Sequence, residues 1–158
     1  MTPEFLLNHA ISPALRLLPG RMNSQQAVAM MIAIALQESG LKHRRQIGGS
    51  ARGYFQFEQG GGVRGVLMHP ASGEHIKNVL VALDYAQDAD AGACYAAIQH
   101  NDVLAAAFAR LLLWTLPDPM PNRDSPGKGW TVYMKAWRPG KPHREPWNDH
   151  FETAWEIA

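Results

Sequence analysis

Ala27-Val28-Ala29-Met30-Met31-Ile32-Ala33-Ile34-Ala35-Leu36, followed by Gln37-Glu38-Ser39-Gly40, is the stretch that decides the fold. Its first ten residues carry no charge and are apolar on every side. A helix of that kind is surrounded by other helices at the centre of a domain. Asn23 with Gln26 three residues on predicts an N-cap, a variant of the capping box, and Gly40 supplies the stop. Glu38 is the anomaly. It lies at the negative end of the most apolar helix in the chain, where helix dipole and apolar surroundings both disfavour a carboxylate. Both effects push toward a protonated acid, the state needed to donate a proton to a leaving sugar oxygen. The plainer alternative is a helix that simply emerges into water at Glu38.

Outward from this centre the apolar spacing stays helical. Leu6, Leu7, Ile11, Leu15 and Leu18 predict a first helix ended by Pro19-Gly20. Further helices are expected over His75 to Leu83, Tyr85 to Ile98, and Val103 to Trp114, the last opened by Asn101-Asp102. Pro117-Asp118-Pro119-Met120-Pro121 reads as a rigid connection. The tail beyond it holds four of the five tryptophans and predicts two helices, about Trp130 to Ala136 and Trp147 to Glu156. Residues 46–65 differ: glycine-rich stretches bracket the alternating run Gly53-Tyr54-Phe55-Gln56-Phe57-Glu58, which predicts a small β-hairpin or loop around residues 47–62. The expected fold is mostly α, a single domain over residues 1–158 with roughly seven helices and one small β or loop element.

Composition bounds the partners. The chain has 158 residues, 46% apolar and 18% charged, enough to bury a core. With 15 basic and 14 acidic residues the net charge is +1, without the basic excess of a nucleic-acid binder. His43, Arg44 and Arg45 form a local basic cluster, read as a solvated helix end. The lone Cys94 sits in an apolar run and predicts a buried, inert thiol. No uninterrupted apolar run spans a bilayer and no classical export signal is expected, so the expectation is a soluble protein. The seven histidines show no ligand spacing, so no metal and no cofactor are expected. Gly60 to Gly65 lacks the Lys-Ser/Thr of a phosphate loop; its glycines read as mobility beside a cleft.

Gln37-Glu38-Ser39-Gly40 followed by Ser50-Ala51-Arg52-Gly53-Tyr54-Phe55-Gln56 resembles the lytic transglycosylases and goose-type lysozymes. Their signature is a Glu-Ser pair ending a buried helix, then a Gly-Ala-x-Gly-hydrophobic-hydrophobic-Gln segment. Here Ser50 replaces the first Gly, and the interval from Glu38 to Gln56 matches. The resemblance covers about 20 residues and implies a lysozyme-like domain, with Glu38 as acid/base and the Gln56 segment as a wall of a sugar cleft. The family's later Tyr-Asn landmark has its nearest counterpart in Tyr133-Met134-Lys135-Ala136-Trp137-Arg138-Pro139-Gly140, which keeps the aromatic and the glycine turn but has no Asn. Ile47 stands where the family often places a Ser, a role left to Ser39 or Ser50. The aromatic, Trp-Arg-Pro-Gly-Lys-Pro ending is similar to phage lysozyme-like proteins.

The resemblance implies cleavage of peptidoglycan between N-acetylmuramic acid and N-acetylglucosamine. It further implies residence in the host cytoplasm before holin-assisted release to the periplasm, or delivery on a virion. Between Glu38 and Glu58 there is no other carboxylate. If the run alternates, Gln56 and Glu58 share a face and could both line the cleft. A hydrolase usually needs a second carboxylate; a transglycosylase uses the sugar's own 6-hydroxyl and needs none. Tyr54, Phe55, Tyr133 and Trp137 are the candidate sugar-stacking rings. Ser39, Ser50, Tyr54, Phe55, Gln56, Glu58, Tyr133 and Trp137 thus form the expected substrate-binding set around Glu38. Two rival expectations remain: an inactive lysozyme-like virion or sugar-binding protein, and a small helical regulator gripping DNA through Arg44 and Arg45.

Overall fold

The computed structural model describes residues 1–158 and is mostly helical, with almost no strand. The first helical stretch runs as α1 (Pro3–Leu6), a π turn (Leu7–Ile11) and α2 (Ser12–Arg16), opened by Thr2, whose hydroxyl accepts from Phe5 N–H. The central α3 (Gln25–Ser39) has every residue from Ala27 to Ala35 buried. Its cap is Ser24, whose hydroxyl accepts from Ala27 N–H at 3.1 Å. The expected Asn23–Gln26 capping box does not form, because Gln26 reaches across to Asn122 Oδ1 instead, at 3.3 Å. Gly40 ends α3 in the left-handed region, φ 57°, where a glycine costs least.

Then follow α4 (Arg64–Met68), α5 (Gly73–Ala82), α6 (Ala91–Ile98), α7 (Asp102–Trp114), α8 (Pro126–Trp137) and α9 (Trp147–Ile157). The short α4 has no counterpart in the sequence expectation. Helix α6 starts six residues later than expected, because Asp90 caps it by accepting from Ala93 N–H at 2.8 Å. Helix α8 starts four residues earlier than expected, with Pro126 in its first turn, where a missing N–H costs nothing. Asn101 caps α7 as predicted, accepting from Leu104 N–H.

No hairpin exists. Residues 45–57 hold two isolated antiparallel bridges, Arg45 with Arg52 and Arg52 with Phe57. The alternating run cannot stay extended because Gly53 and Gln56 both take positive φ, 75° and 53°, folding the chain into a tight turn closed by Gln56 N–H to Gly53 O at 3.0 Å. The glycines read as mobility beside a cleft lie in and after a wide helical turn, Gln59–Val63, kinked at Gly61. One contiguous core of 41 buried residues joins these elements, with α3 and α7 at its centre and α9 laid along α3. Cys94 is in that core, its thiol pushed up to about 11 by burial and by the nearby Asp90 charge. No helix is long and apolar enough to cross a membrane.

Candidate active site

A groove of about 790 Å³ opens beside the C-terminal turn of α3. Four segments build it: the end of α3 with Gln37 and Glu38; the loop from Gln46 to Glu58; the helical turn with Gly61 and Gly62; and the end of α8 with the segment from Arg138 to His143. Leu112 and Phe57 supply apolar floor. The walls are therefore contributed by chain segments about a hundred residues apart.

Glu38 projects into this groove from the half-buried last turn of α3. Its Oε1 accepts a hydrogen bond of 2.6 Å from the Tyr133 hydroxyl. Burial is the largest influence on the carboxyl and raises its pKa; the Tyr133 bond opposes burial, and the charge of Glu58 adds to it. Together they push Glu38 from 4.5 up to about 7. With Oε1 engaged by Tyr133, Oε2 is the carboxyl oxygen that makes no hydrogen bond within the protein. The same burial, followed by the negative charge and hydrogen bond of Glu38, raises the Tyr133 phenol, so it stays protonated and donating. Its ring is locked by stacking on Trp147 at 5.3 Å and by Trp130 at 5.3 Å.

The other expected residues divide. Gln56 and Glu58 do line the groove with Glu38, though a turn and not strand alternation puts them there. The Gln56 amide nitrogen donates to Gly53 O at 2.8 Å, leaving its carbonyl oxygen as an acceptor. Trp137 lines the groove and ties its two walls together, its indole N–H donating to Phe55 O at 2.8 Å. Ser39 acts inward: its hydroxyl donates to Tyr54 O at 2.7 Å and accepts from Leu41 N–H, fastening the 53–56 turn to α3. Ser50 does not line the groove; its hydroxyl, on an exposed residue, donates to Glu58 Oε1 at 3.3 Å.

Tyr54 and Phe55 are corrected. Phe55 is wholly buried and packs toward Phe57, while Tyr54 is 6% exposed and carries the Arg44 guanidinium over its ring at 4.7 Å. Neither lines the groove; the positive φ at Gln56 breaks the alternation that would have turned one of them outward. The groove's rings are Phe57, Tyr133 and Trp137. Ile47 is 82% exposed and bonds nothing in place of the family's serine.

No family model, curated protein or solved structure matches the chain.

Sequence reasoning missed a further feature of the site. Gln37 donates to His143 O at 2.7 Å and its side-chain oxygen meets His150 Nδ1 at 3.0 Å, so α3, α9 and the segment after α8 are held by one amide. The only sequence signal was that Gln37 adjoins Glu38. The His43–Arg44–Arg45 cluster is likewise resolved: Arg44 forms a two-bond ion pair with Asp102, the shorter bond 2.7 Å, and so is committed within the molecule. No three His, Cys, Asp or Glu side chains converge into a group that could hold a metal ion.

Proposed function

We propose that this chain cleaves the glycan strand of bacterial cell wall, between N-acetylmuramic acid and N-acetylglucosamine, with Glu38 as general acid. One observation carries the reading: a carboxyl group held protonated near neutral pH lies in an open groove, with its free oxygen available to a ligand. A proton passes from Oε2 to the glycosidic oxygen as the C1–O bond breaks, and the sugar ring takes on oxocarbenium character. Tyr133 then stabilises the carboxylate just formed, since its hydroxyl donates more strongly to an anion than to a neutral acid. As a base, Glu38 next takes a proton from water or from the sugar's own 6-hydroxyl. Gln56 offers an acceptor for sugar hydroxyl or acetamido N–H groups, and Trp137 offers a flat face to pyranose C–H groups, while Tyr133, buried among neighbouring rings, acts through its hydroxyl.

The resemblance of Glu38-Ser39 and Ser50–Gln56 to the lytic transglycosylases and goose-type lysozymes supports the same reading, as does the shared groove position of Gln56. Within it, the protein is a lysozyme-like, phage-derived enzyme delivered by a holin or a virion. A non-catalytic sugar-binding or virion protein would use the groove equally but would gain nothing from a protonated Glu38.

Glu38→Gln decides between them. The amide keeps the shape and removes the proton, so wall-clearing activity is expected to fall about 10²- to 10⁴-fold, the usual worth of general acid catalysis. Undiminished clearing would defeat the assignment. Mass spectrometry of the wild-type digest then separates hydrolysis, which leaves reducing ends, from transglycosylation, which leaves 1,6-anhydro ends.

A further inference from the structure

The groove carries charges of both signs, each from its own chain segment. Glu58, beside the amides of Gln46 and Gln56, faces it from the loop that follows α3. Arg138 and Lys141 face it from the segment that follows α8. The three ion pairs of the molecule join Arg44 to Asp102, Lys77 to Glu74 and Lys135 to Asp118, so neither groove cation is neutralised by a protein carboxylate. Neither makes a side-chain hydrogen bond. Their neighbour Arg144 behaves in the opposite way, donating to Asn148 at 2.8 Å and lying over the Trp130 ring, and it does not line the groove.

Two anchors hold the cationic segment in place. At its start, the Trp137 indole is fastened to Phe55 O on the opposite wall. At its end, His143 O is fastened by Gln37, one residue before Glu38. Between them Arg138 occupies the left-handed region, φ 48°, as the residue that terminates α8. Glycine or asparagine fits that backbone better. Here the position carries a long cationic side chain beside the groove.

A strand of neutral sugars offers two unpaired cations hydrogen-bond acceptors but no counter-charge. In the cell-wall glycan, N-acetylglucosamine is uncharged, but every N-acetylmuramic acid bears a lactyl ether on O3. That arm ends either in its own carboxylate or in a peptide with carboxylates of its own. We infer that Arg138 and Lys141 form a carboxylate-reading wall, which makes the groove selective for glycan strands bearing lactyl or peptidyl carboxylates over neutral N-acetylglucosamine polymers. The inference rests on the reading of the groove as a glycan-strand site. The guanidinium can take a carboxylate through two parallel N–H bonds, and the ammonium acts as a mobile point charge beside it. Glu58, on the other segment, repels such arms and so adds to the discrimination.

The test is equilibrium binding with the full-length Glu38→Gln protein, which does not consume its ligand. Three soluble probes are titrated: glycan strands with intact stem peptides, the same strands after an amidase has removed the peptides, and N-acetylglucosamine oligomers of equal length. Both carboxylate-bearing strands should bind about tenfold or more tightly than the neutral oligomer at low salt, and the preference should shrink as salt rises. The double change Arg138→Gln with Lys141→Gln should bring the preference near unity, while Arg138→Lys with Lys141→Arg should retain most of it. A tighter grip on the peptide-bearing strand would assign the peptide carboxylates, and equal or tighter binding of the stripped strand would assign the lactyl group. No preference, or one that survives the glutamine pair, overturns the inference.

Wild-type turnover, measured in parallel, separates the two readings. Cleavage without charge preference sinks the carboxylate wall and leaves the proposed function standing. Charge-dependent binding without any cleavage does the reverse.

Discussion

At the scale of single residues, the molecule turns on the proton of Glu38, and its stability should report that proton. A carboxyl with its pKa raised from 4.5 to about 7 binds its proton more tightly in the folded chain than in the unfolded one. Its neutral form is what the fold accommodates. That contribution is fully present below pH 4.5, declines as pH rises, and is gone once pH passes about 7. A glutamine there has no such dependence. Chemical denaturation of wild type and Glu38→Gln at pH 4, 7 and 9 should show wild type losing about 3 kcal/mol relative to the variant, nearly all of it between the first two points. A gap that does not change with pH would mean the carboxyl titrates in the fold as it does in the unfolded chain. Tyr133→Phe removes the one bond that favours the carboxylate, so the loss should move to higher pH. The alkaline limb of activity should move with it, at a lower maximum rate because the product carboxylate loses its donor.

At the scale of elements, the helices with unambiguous period and caps were legible in the sequence. Ala27 to Leu36 could only be a central helix, Gly40 could only end it, and Asn101 announced α7. The segment from residue 46 to 65 was not, because alternation describes a strand only while every φ stays negative. Two left-handed residues turn Tyr54–Gln56 into a tight loop, so the expected sugar-facing rings go into the core while Gln56 and Glu58 reach the groove. The second wall was legible only in part. The resemblance placed Tyr133 and Trp137 with Glu38, although the Tyr133–Glu38 contact spans 95 positions, whereas nothing in the sequence paired Gln37 with His143 across 106.

The turn Gln59–Val63 gives the element-scale prediction. A Cβ added at Gly62 would lie 2.6 Å from Phe57 Cδ1 and 3.3 Å from Leu112 Cδ2, both groove floor. Gly62→Ala should therefore cost about 1–3 kcal/mol by overpacking. At Gly60 the same methyl meets nothing within 4 Å, and φ is not positive. Gly60→Ala should be neutral or stabilise by up to about 1 kcal/mol through the unfolded chain. Urea melts of the pair check this, and equal effects would mean the turn is looser than its contacts imply.

At the scale of the whole molecule, the groove exists because the end of the chain returns to its centre. Helix α9 lies along α3 and also packs on α8, so one helix sets the spacing between the acid of Glu38 and the phenol of Tyr133. Trp147 is the joint: wholly buried, it stacks on Tyr133 at 16° between ring planes, meets Phe151, and donates its indole N–H to Pro126 O at the start of α8. Phe151 and Ala154 are also buried, and Trp155 is 7% exposed. Truncating any one of these large aromatics costs about 3–5 kcal/mol. Removing all three with their helix would therefore consume most or all of the roughly 5–15 kcal/mol that holds a domain of this size together. It would also bare the flank of α3, whose apolar surface has no polar side to turn outward. A chain ending at Pro146 should consequently lose its cooperative unfolding transition and its near-ultraviolet circular dichroism, and no activity should survive. Trp147→Phe keeps a ring in the stack but gives up the bond to Pro126 O, so it should stay folded with a lower melting temperature and a blunted alkaline limb. If the truncated chain melts cooperatively, α9 is an accessory to a core complete without it, and the spacing of Glu38 and Tyr133 must be set by α3, α7 and α8 alone.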